Sequence, residues 1–447
     1  MDVNGEKLTE TSNIEDYSVG LRRAVFAAAI GNAIEWFDYA SYGYLATVIA
    51  LVFFPPGDRT VALLATFAVF AVSFIVRPIG GVIWGHYGDK LGRKLTLILE
   101  VTIMSAATFA IGLIPSYAQI GLWAPALLLI CRLVQGFSAS GEYAGAASFI
   151  AEYAPPKKRG LLVSAVPAST AFGLMTGCLI VAVLEYMLPE AALLRWGWRI
   201  PFLLALPFGS IVMYMRVKLE DTPVYTEMKE KAEAKISAET EDAIEPGSFA
   251  GVMKYKSNLI RAFGIILLNA VGFYILLSYM PTYLTEEVGF GKVEGTLITL
   301  VTLTTYTIML PIIGHLADRV GRKPVMMTAC ILFVVATYPI FLLLSKGFGF
   351  SILALILLGA MLAGNDGVLA TFLSEMFPTQ VRYTSFALAF NTGNAIFGGT
   401  APFVSTYLIA LSGNMYAPAF YLMIAAVVCF IALIGARETA HEELATE

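Results

Sequence analysis

Apolar stretches of about 20 residues recur along the chain from about Leu21 to Ala436, separated by short polar breaks. A helix of about 20 residues spans the hydrocarbon core of a bilayer, so this spacing predicts about twelve transmembrane helices. Segments such as Ala126 to Cys131 and Ile424 to Ile434 are apolar on every face. A spanning strand would instead alternate polarity over about ten residues, so a barrel is excluded and the expected fold is an all-α membrane protein.

Composition agrees with the pattern: 58% hydrophobic and 14% charged residues, with a mean hydropathy of +0.74, require lipid as solvent. The net charge of −4 forms no basic face, which argues against nucleic acid as a partner. Cys131, Cys178, Cys330 and Cys429 lie inside apolar spans without ligand spacing, so they read as core residues, with no metal and no cofactor expected. No set of nucleophile, base and orienting group suggests an enzyme. The polar, acidic first twenty residues lack a basic start and a cleavage site, so the first span is expected to stay in the membrane.

Lys and Arg concentrate in alternate loops, which predicts a multi-pass inner-membrane protein with both termini cytoplasmic. A polar stretch rich in Glu, Lys, Ala and Thr divides the spans six and six. The expected organisation is a cytoplasmic tail (1–20), a six-helix bundle (21–217), a cytoplasmic linker (218–257), a second six-helix bundle (258–437) and a C-terminal tail (438–447). The halves echo each other: Gly85-His86-Tyr87-Gly88-Asp89-Lys90-Leu91-Gly92-Arg93-Lys94 returns as Gly314-His315-Leu316-Ala317-Asp318-Arg319-Val320-Gly321-Arg322-Lys323. Glu152-x-x-Pro155-x-x-x-Arg159 returns as Glu375-x-x-Pro378-x-x-x-Arg382. Motifs in one order on one membrane side imply parallel repeats. A carboxylate just before clustered bases can pair with them or cap a neighbouring helix in one conformation and let go in another. Asp89, Arg93, Lys94, Glu152, Arg159, Asp318, Arg322, Glu375 and Arg382 are therefore candidate gating residues.

A charge at the bilayer centre costs roughly 2.5 to 3.5 kcal/mol even on lenient scales, so an ionisable residue in a span faces a cavity or a partner. Glu35, Asp38, Arg77, Glu100, Arg132, Glu142, Asp366 and Glu375 stand in that position, Glu375 as the opening of the second E-x-x-P-x-x-x-R motif. Glu35 and Asp38 share one helical face, where like charge makes it easier for one of them to hold a proton; with Glu142 they are the candidate coupling groups. Arg132 could meet a substrate carboxylate or a carboxylate of the first span. The second half offers milder polarity in Asn269, Asn365, Asp366, Asn391 and Asn394, which could serve a site or glue helices together. Trp36, Phe37, Tyr39, Tyr42, Tyr44, Phe273 and Tyr274 are dense nearby, and aromatic faces attract quaternary ammonium groups.

The pattern G-x-x-x-D-[RK]-x-G-[RK]-[RK], present twice, resembles the signature of the major facilitator superfamily. Gly31-Asn32-Ala33-Ile34-Glu35-Trp36-Phe37-Asp38-Tyr39, Arg77-Pro78-Ile79-Gly80-Gly81, Gln135-Gly136-Phe137-Ser138-Ala139-Ser140-Gly141-Glu142-Tyr143 and Trp196-Gly197-Trp198-Arg199-Ile200-Pro201 resemble the metabolite:proton symporters. Ile114-Pro115-Ser116-Tyr117, Trp123-Ala124-Pro125 and Tyr279-Met280-Pro281-Thr282-Tyr283-Leu284 look most like the proline/betaine osmolyte members. The resemblance implies two pseudo-symmetric six-helix bundles that act as a monomer, bringing in a small zwitterionic osmolyte with a proton by alternating access. Relatives carrying citrate, 2-oxoglutarate or shikimate share much of this vocabulary, so proton symport of an organic acid is the alternative. The expected substrate contacts are Asn32, Trp36, Tyr39, Tyr42, Arg132, Asn269, Tyr274, Asn365, Asp366 and Asn391. Some osmolyte-type relatives end in a long coiled coil. About ten residues follow the last span here, without heptads, so osmosensing by such a tail is not expected.

Overall fold

The computed structural model describes residues 29–81, 83–84, 93–218, 249–379 and 381–445. Asp89, the first twenty residues and most of the 218–257 stretch lie outside the described residues. Arg93 and Lys94 are described only as helical backbone.

Helices account for nearly all of the described chain, which holds no strand. We number them α1 (residues 29–53, with a turn at Leu45), α2 (Arg59–Gly81), α3 (Arg93–Leu113), α4 (Trp123–Glu152), α5 (Pro156–Met187) and α6 (Arg199–Lys218). The second half continues with α7 (Lys256–Val288), α8 (Lys292–Val320), α9 (Arg322–Leu344), α10 (Phe348–Glu375), α11 (Arg382–Ser412) and α12 (Ala417–Ile434). Among the described residues, 9 are long and apolar enough to cross a membrane, and 10 if Glu190–Gly197 and Arg199–Tyr214, which meet at 42°, form one bent span. The other two are α1 and α3. The first six and the last six form two halves, consistent with the expected fold.

The halves meet along α5 with α8, α2 with α11, and α4 with α10 and α11. Without water to drive association, helices in lipid rely on close backbone approach, which small residues permit. At the contact of α5 with α8, a Cβ on Gly160 would lie 2.5 Å from the Gly314 carbonyl oxygen, and one on Gly314 would lie 2.6 Å from that of Gly160. The first glycine of the second signature, Gly314, is thus required by packing between the halves.

Irregular backbone sits where the halves face each other. Helix α4 breaks at Ala139–Gly141, and α7 and α11 contain π-helical turns at Ile275–Tyr279 and Asn394–Gly398. Such interruptions free carbonyls that need other donors at membrane depth, and π turns recur at functional sites. The Ser140 carbonyl accepts from Asn391 Nδ2 at 2.7 Å, and that of Gly141 accepts from the Tyr383 hydroxyl at 3.4 Å. The break in one half is therefore satisfied by the other.

Candidate functional site

The contact between the halves is layered, and its first layer, which we call the latch face, carries the repeated motifs. The two E-x-x-P-x-x-x-R motifs exchange partners: Arg159 Nη1 reaches Glu375 Oε1 at 3.0 Å, and Arg382 Nη1 reaches Glu152 Oε1 at 2.6 Å. Each arginine also donates Nε to a carbonyl eight residues earlier, Arg159 to Ala151 and Arg382 to Ser374. Arg322 joins Glu375 at 3.3 Å and Asp318 at 2.7 Å. Asp318 also accepts from the backbone N–H groups of Gly160 and Leu161 at 2.8 and 2.9 Å, a carboxylate capping the start of a helix in the other half. Apart from Glu152, whose side chain is 35% exposed, these side chains are buried, with Arg322 and Arg382 fully enclosed.

The residues after α12 run across this network. Glu438 accepts from the backbone N–H groups of Arg322 and Lys323 at 2.9 and 3.0 Å, and the Thr439 hydroxyl donates to Glu375 at 2.7 Å. Arg159 and Arg382 donate to the carbonyls of Glu442 and Ala445. The segment expected as a C-terminal tail is thus a strap tied to both halves.

The next layer holds Tyr143 of α4 stacked on Phe390 of α11, with centroids 4.4 Å apart and ring planes within 2°. Beyond it lies a void of about 10 Å³, room for about one water, lined by Glu35, Trp36, Arg77, Glu142, Tyr143 and Asn391 among others. Farther on, Trp36, Phe70 and Phe74 pack against Phe273 and Tyr274 with centroid separations of 5.0 to 6.2 Å, and Tyr39 packs on Phe70 and Phe74 at 6.3 and 5.2 Å. The far face closes with Arg59–Glu286 at 2.6 Å and Glu190–Lys292 at 2.7 Å. Among the described residues, the void at the centre of the contact holds no solute larger than water, while an open cleft of about 330 Å³ at the far face lies between Glu185, Glu190 and Leu193 of the first half and Lys292 and Glu294 of the second.

The first half keeps its charges close to the aromatic layer. Arg77 pairs with Glu35 at 2.9 Å, with its guanidinium 4.7 to 5.7 Å from the ring centroids of Trp36, Tyr39 and Phe74. Arg132 lies 4.4 to 5.1 Å from the rings of Tyr42, Tyr39 and Phe70, and donates to Gln135 and Ser73. Gln135 Nε2 donates to the Thr108 hydroxyl, which lies 2.9 Å from Asp38 Oδ2. Arg132 therefore reaches Asp38 through Gln135 and Thr108, although a direct contact with a carboxylate of the first span was expected as one option. Its close approach to α2 depends on Gly136, where a Cβ would collide with the Ser73 backbone.

Glu35 and Asp38, expected to share a cavity, use different neighbours: Glu35 turns to α2 and the void, Asp38 to α3. Asn32 points away from the aromatic layer and ties α1 to α5 through Val166, Ser169 and Thr170 at 2.7 to 3.2 Å. Asn391 spans the halves. In the second half, Asp366 Oδ2 accepts from the Tyr306 hydroxyl at 2.6 Å and Oδ1 from Asn365 Nδ2 at 2.9 Å, with Asn269 against the same carboxylate. Among the residues not singled out from sequence, Thr108 and Ser73 are polar interruptions of apolar spans and were legible in principle. Tyr306, Tyr383 and Phe390 count as ordinary apolar-span residues and carried no such signal.

The chain matches the family described as "Sugar (and other) transporter" over residues 24–446. It is 40% identical over 425 residues to the proline/betaine transporter of Escherichia coli (strain K12), covering 95% of this chain and 85% of that one. It is equally 40% identical over 429 residues to the glycine betaine/proline/ectoine/pipecolic acid transporter OusA of Dickeya dadantii (strain 3937), with the same coverage of both chains. Among solved structures, the proton:xylose symporter XylE bound to 6-bromo-6-deoxy-D-glucose superposes with a TM-score of 0.74 at 17% identity, over 96% of this chain and 98% of that one, a likeness of fold. With its two six-helix halves, this multi-pass membrane protein belongs to the sugar and other transporter family of the major facilitator superfamily.

Proposed function

We propose that the protein brings a small zwitterionic osmolyte of the proline or glycine betaine type into a bacterial cell together with a proton, across the inner membrane, with the latch face cytoplasmic. The observation that carries this reading is the aromatic layer between the halves, in a chain 40% identical to proline/betaine transporters over nearly its whole length. Guanidinium groups already cover the faces of Trp36, Tyr39 and Tyr42, so these rings suit a cation. When the halves part, a quaternary ammonium would take such a face, with the solute's carboxylate turned to Arg132 and its remaining contacts made by Tyr274, Asn269, Asn365 and Asn391. Asn32 would act by holding α1 on α5.

Glu35, Asp38 and Glu142 are the coupling candidates of the first half. The closed void admits no solute, so binding requires one face to open at a time, the two halves rocking about their shared layers. Two buried guanidiniums in one half also suit an organic acid with several carboxylates, which keeps that substrate class as the second reading. Uptake of labelled proline, glycine betaine and citrate into energised vesicles, each with and without a proton uncoupler, tests the proposal. Uncoupler-sensitive accumulation of proline or betaine is expected, falling to the equilibrium level in Asp38→Asn; accumulation of citrate alone would overturn the osmolyte reading.

A further inference from the structure

Asp366 is 1% exposed at membrane depth, and among the described residues it forms no ion pair. Glu35, by contrast, pairs with Arg77 at 2.9 Å. The partners of Asp366 are neutral: the hydroxyl of Tyr306 on α8 and the amides of Asn365 on α10 and Asn269 on α7. The other titratable groups near it are Tyr143 on α4 of the opposite half, Cys429 on α12, whose thiol lies 3.9 Å from Asn365 Oδ1, and Cys330 on α9 beside Cys429. None of them is a base.

This partner set fits both protonation states. A tyrosine hydroxyl donates or accepts, so the 2.6 Å contact serves a carboxylate with Tyr306 as donor and a carboxylic acid with Tyr306 as acceptor. Oδ1 keeps its amide donor in either case. An uncompensated charge at this depth is costly, so taking up a proton is favourable whenever water is shut out.

From this geometry we infer that Asp366 carries a proton through the transport cycle, as a coupling group of the second half. The inference rests on the proposed proton symport and reassigns Asp366 from solute contact to proton carrier. A proton from the side that is open adds to Oδ2, forming one O–H bond. It leaves to water on the other side once Tyr143 and Phe390 separate, and the only net change is the movement of that proton. Asp366 and Glu375 lie nine residues apart on α10, about 14 Å along one helix. Proton occupancy is thereby linked mechanically to the latch.

Infrared difference spectra of the purified full-length protein, taken from mildly acidic to mildly basic pH, test the inference without knowledge of the substrate. A buried carboxylic-acid C=O band that titrates in the wild type and vanishes in Asp366→Asn is expected. A titration identical in the two proteins would overturn the inference. In proteoliposomes holding a potential of about 100 mV, one proton per neutral solute supports about 50-fold accumulation. Asp366→Asn should accumulate nothing beyond equilibrium yet keep solute exchange within about threefold of wild type, with Asp366→Glu recovering part of the accumulation. Loss of exchange and solute affinity together in Asp366→Asn, with Asp366→Glu folded and equally inactive, would make Asp366 a solute contact and overturn the inference. A wild type that accumulates no solute under uncoupler-sensitive conditions, but still shows the titrating band, would count against the proposed symport alone.

Discussion

The two ends of the contact between the halves close by different physics. At the latch face, Arg159, Arg322 and Arg382 are buried among Glu375, Asp318 and Glu152, and the pairs interlock across the halves. At the far face, Arg59 is 53% exposed and Glu190 68% exposed, and between those pairs and the void stand mostly aromatic rings. Removing one partner of a buried pair leaves a bare charge and costs about 3 to 5 kcal/mol, whereas an exposed pair contributes about 0 to 1 kcal/mol. The latch face opens only when water replaces every buried partner together, while the far face opens by sliding apolar surfaces. The protein is therefore biased toward opening on the far face first.

The largest expected break in that asymmetry is Glu375→Ala, which leaves Arg159 without a carboxylate and Arg322 with Asp318 alone, and should weaken the latch by about 3 to 5 kcal/mol. Alkylation of a cysteine placed at Ser140, beneath the latch, should become much faster than in the parent. An unchanged rate would mean that the latch charges do not hold the face closed. Glu438→Ala should have a middling effect, since it uncaps the start of α9 and loosens the strap at about 0.5 to 2 kcal/mol. The same probe should react a few-fold faster. Arg59→Ala should be the smallest, at most about 1 kcal/mol, leaving far-face accessibility of a cysteine at Phe67 nearly as before. A large rise there would make the exposed pair a true gate.

Much of this architecture was legible because lipid is a demanding solvent. Backbone satisfaction forces helices, the length of each apolar run sets a span, and the twice-repeated motifs mark one common face. The latch residues Glu152, Arg159, Asp318, Glu375 and Arg382 could be found from spacing alone. The identity of their partners could not, because the exchange of Glu152 and Glu375 between motifs depends on how two halves distant in sequence dock. The inner site was less legible. Glu35 and Asp38 stand on one helical face, yet the neighbouring helices present Arg77 to one and Thr108 to the other. Asn32 gave the same signal as Asn391, and only packing shows that one binds a helix of its own half while the other crosses to the opposite half.

The sequence by itself determined that the chain lives in a bilayer as two repeated bundles of helices, because hydropathy and helix length are local properties that lipid reads directly. Tertiary structure alone decided which carboxylates meet a base and which, like Asp366, meet only neutral donors. The charge state of a buried group depends on the few side chains within hydrogen-bonding reach, and those come from helices far apart in the chain.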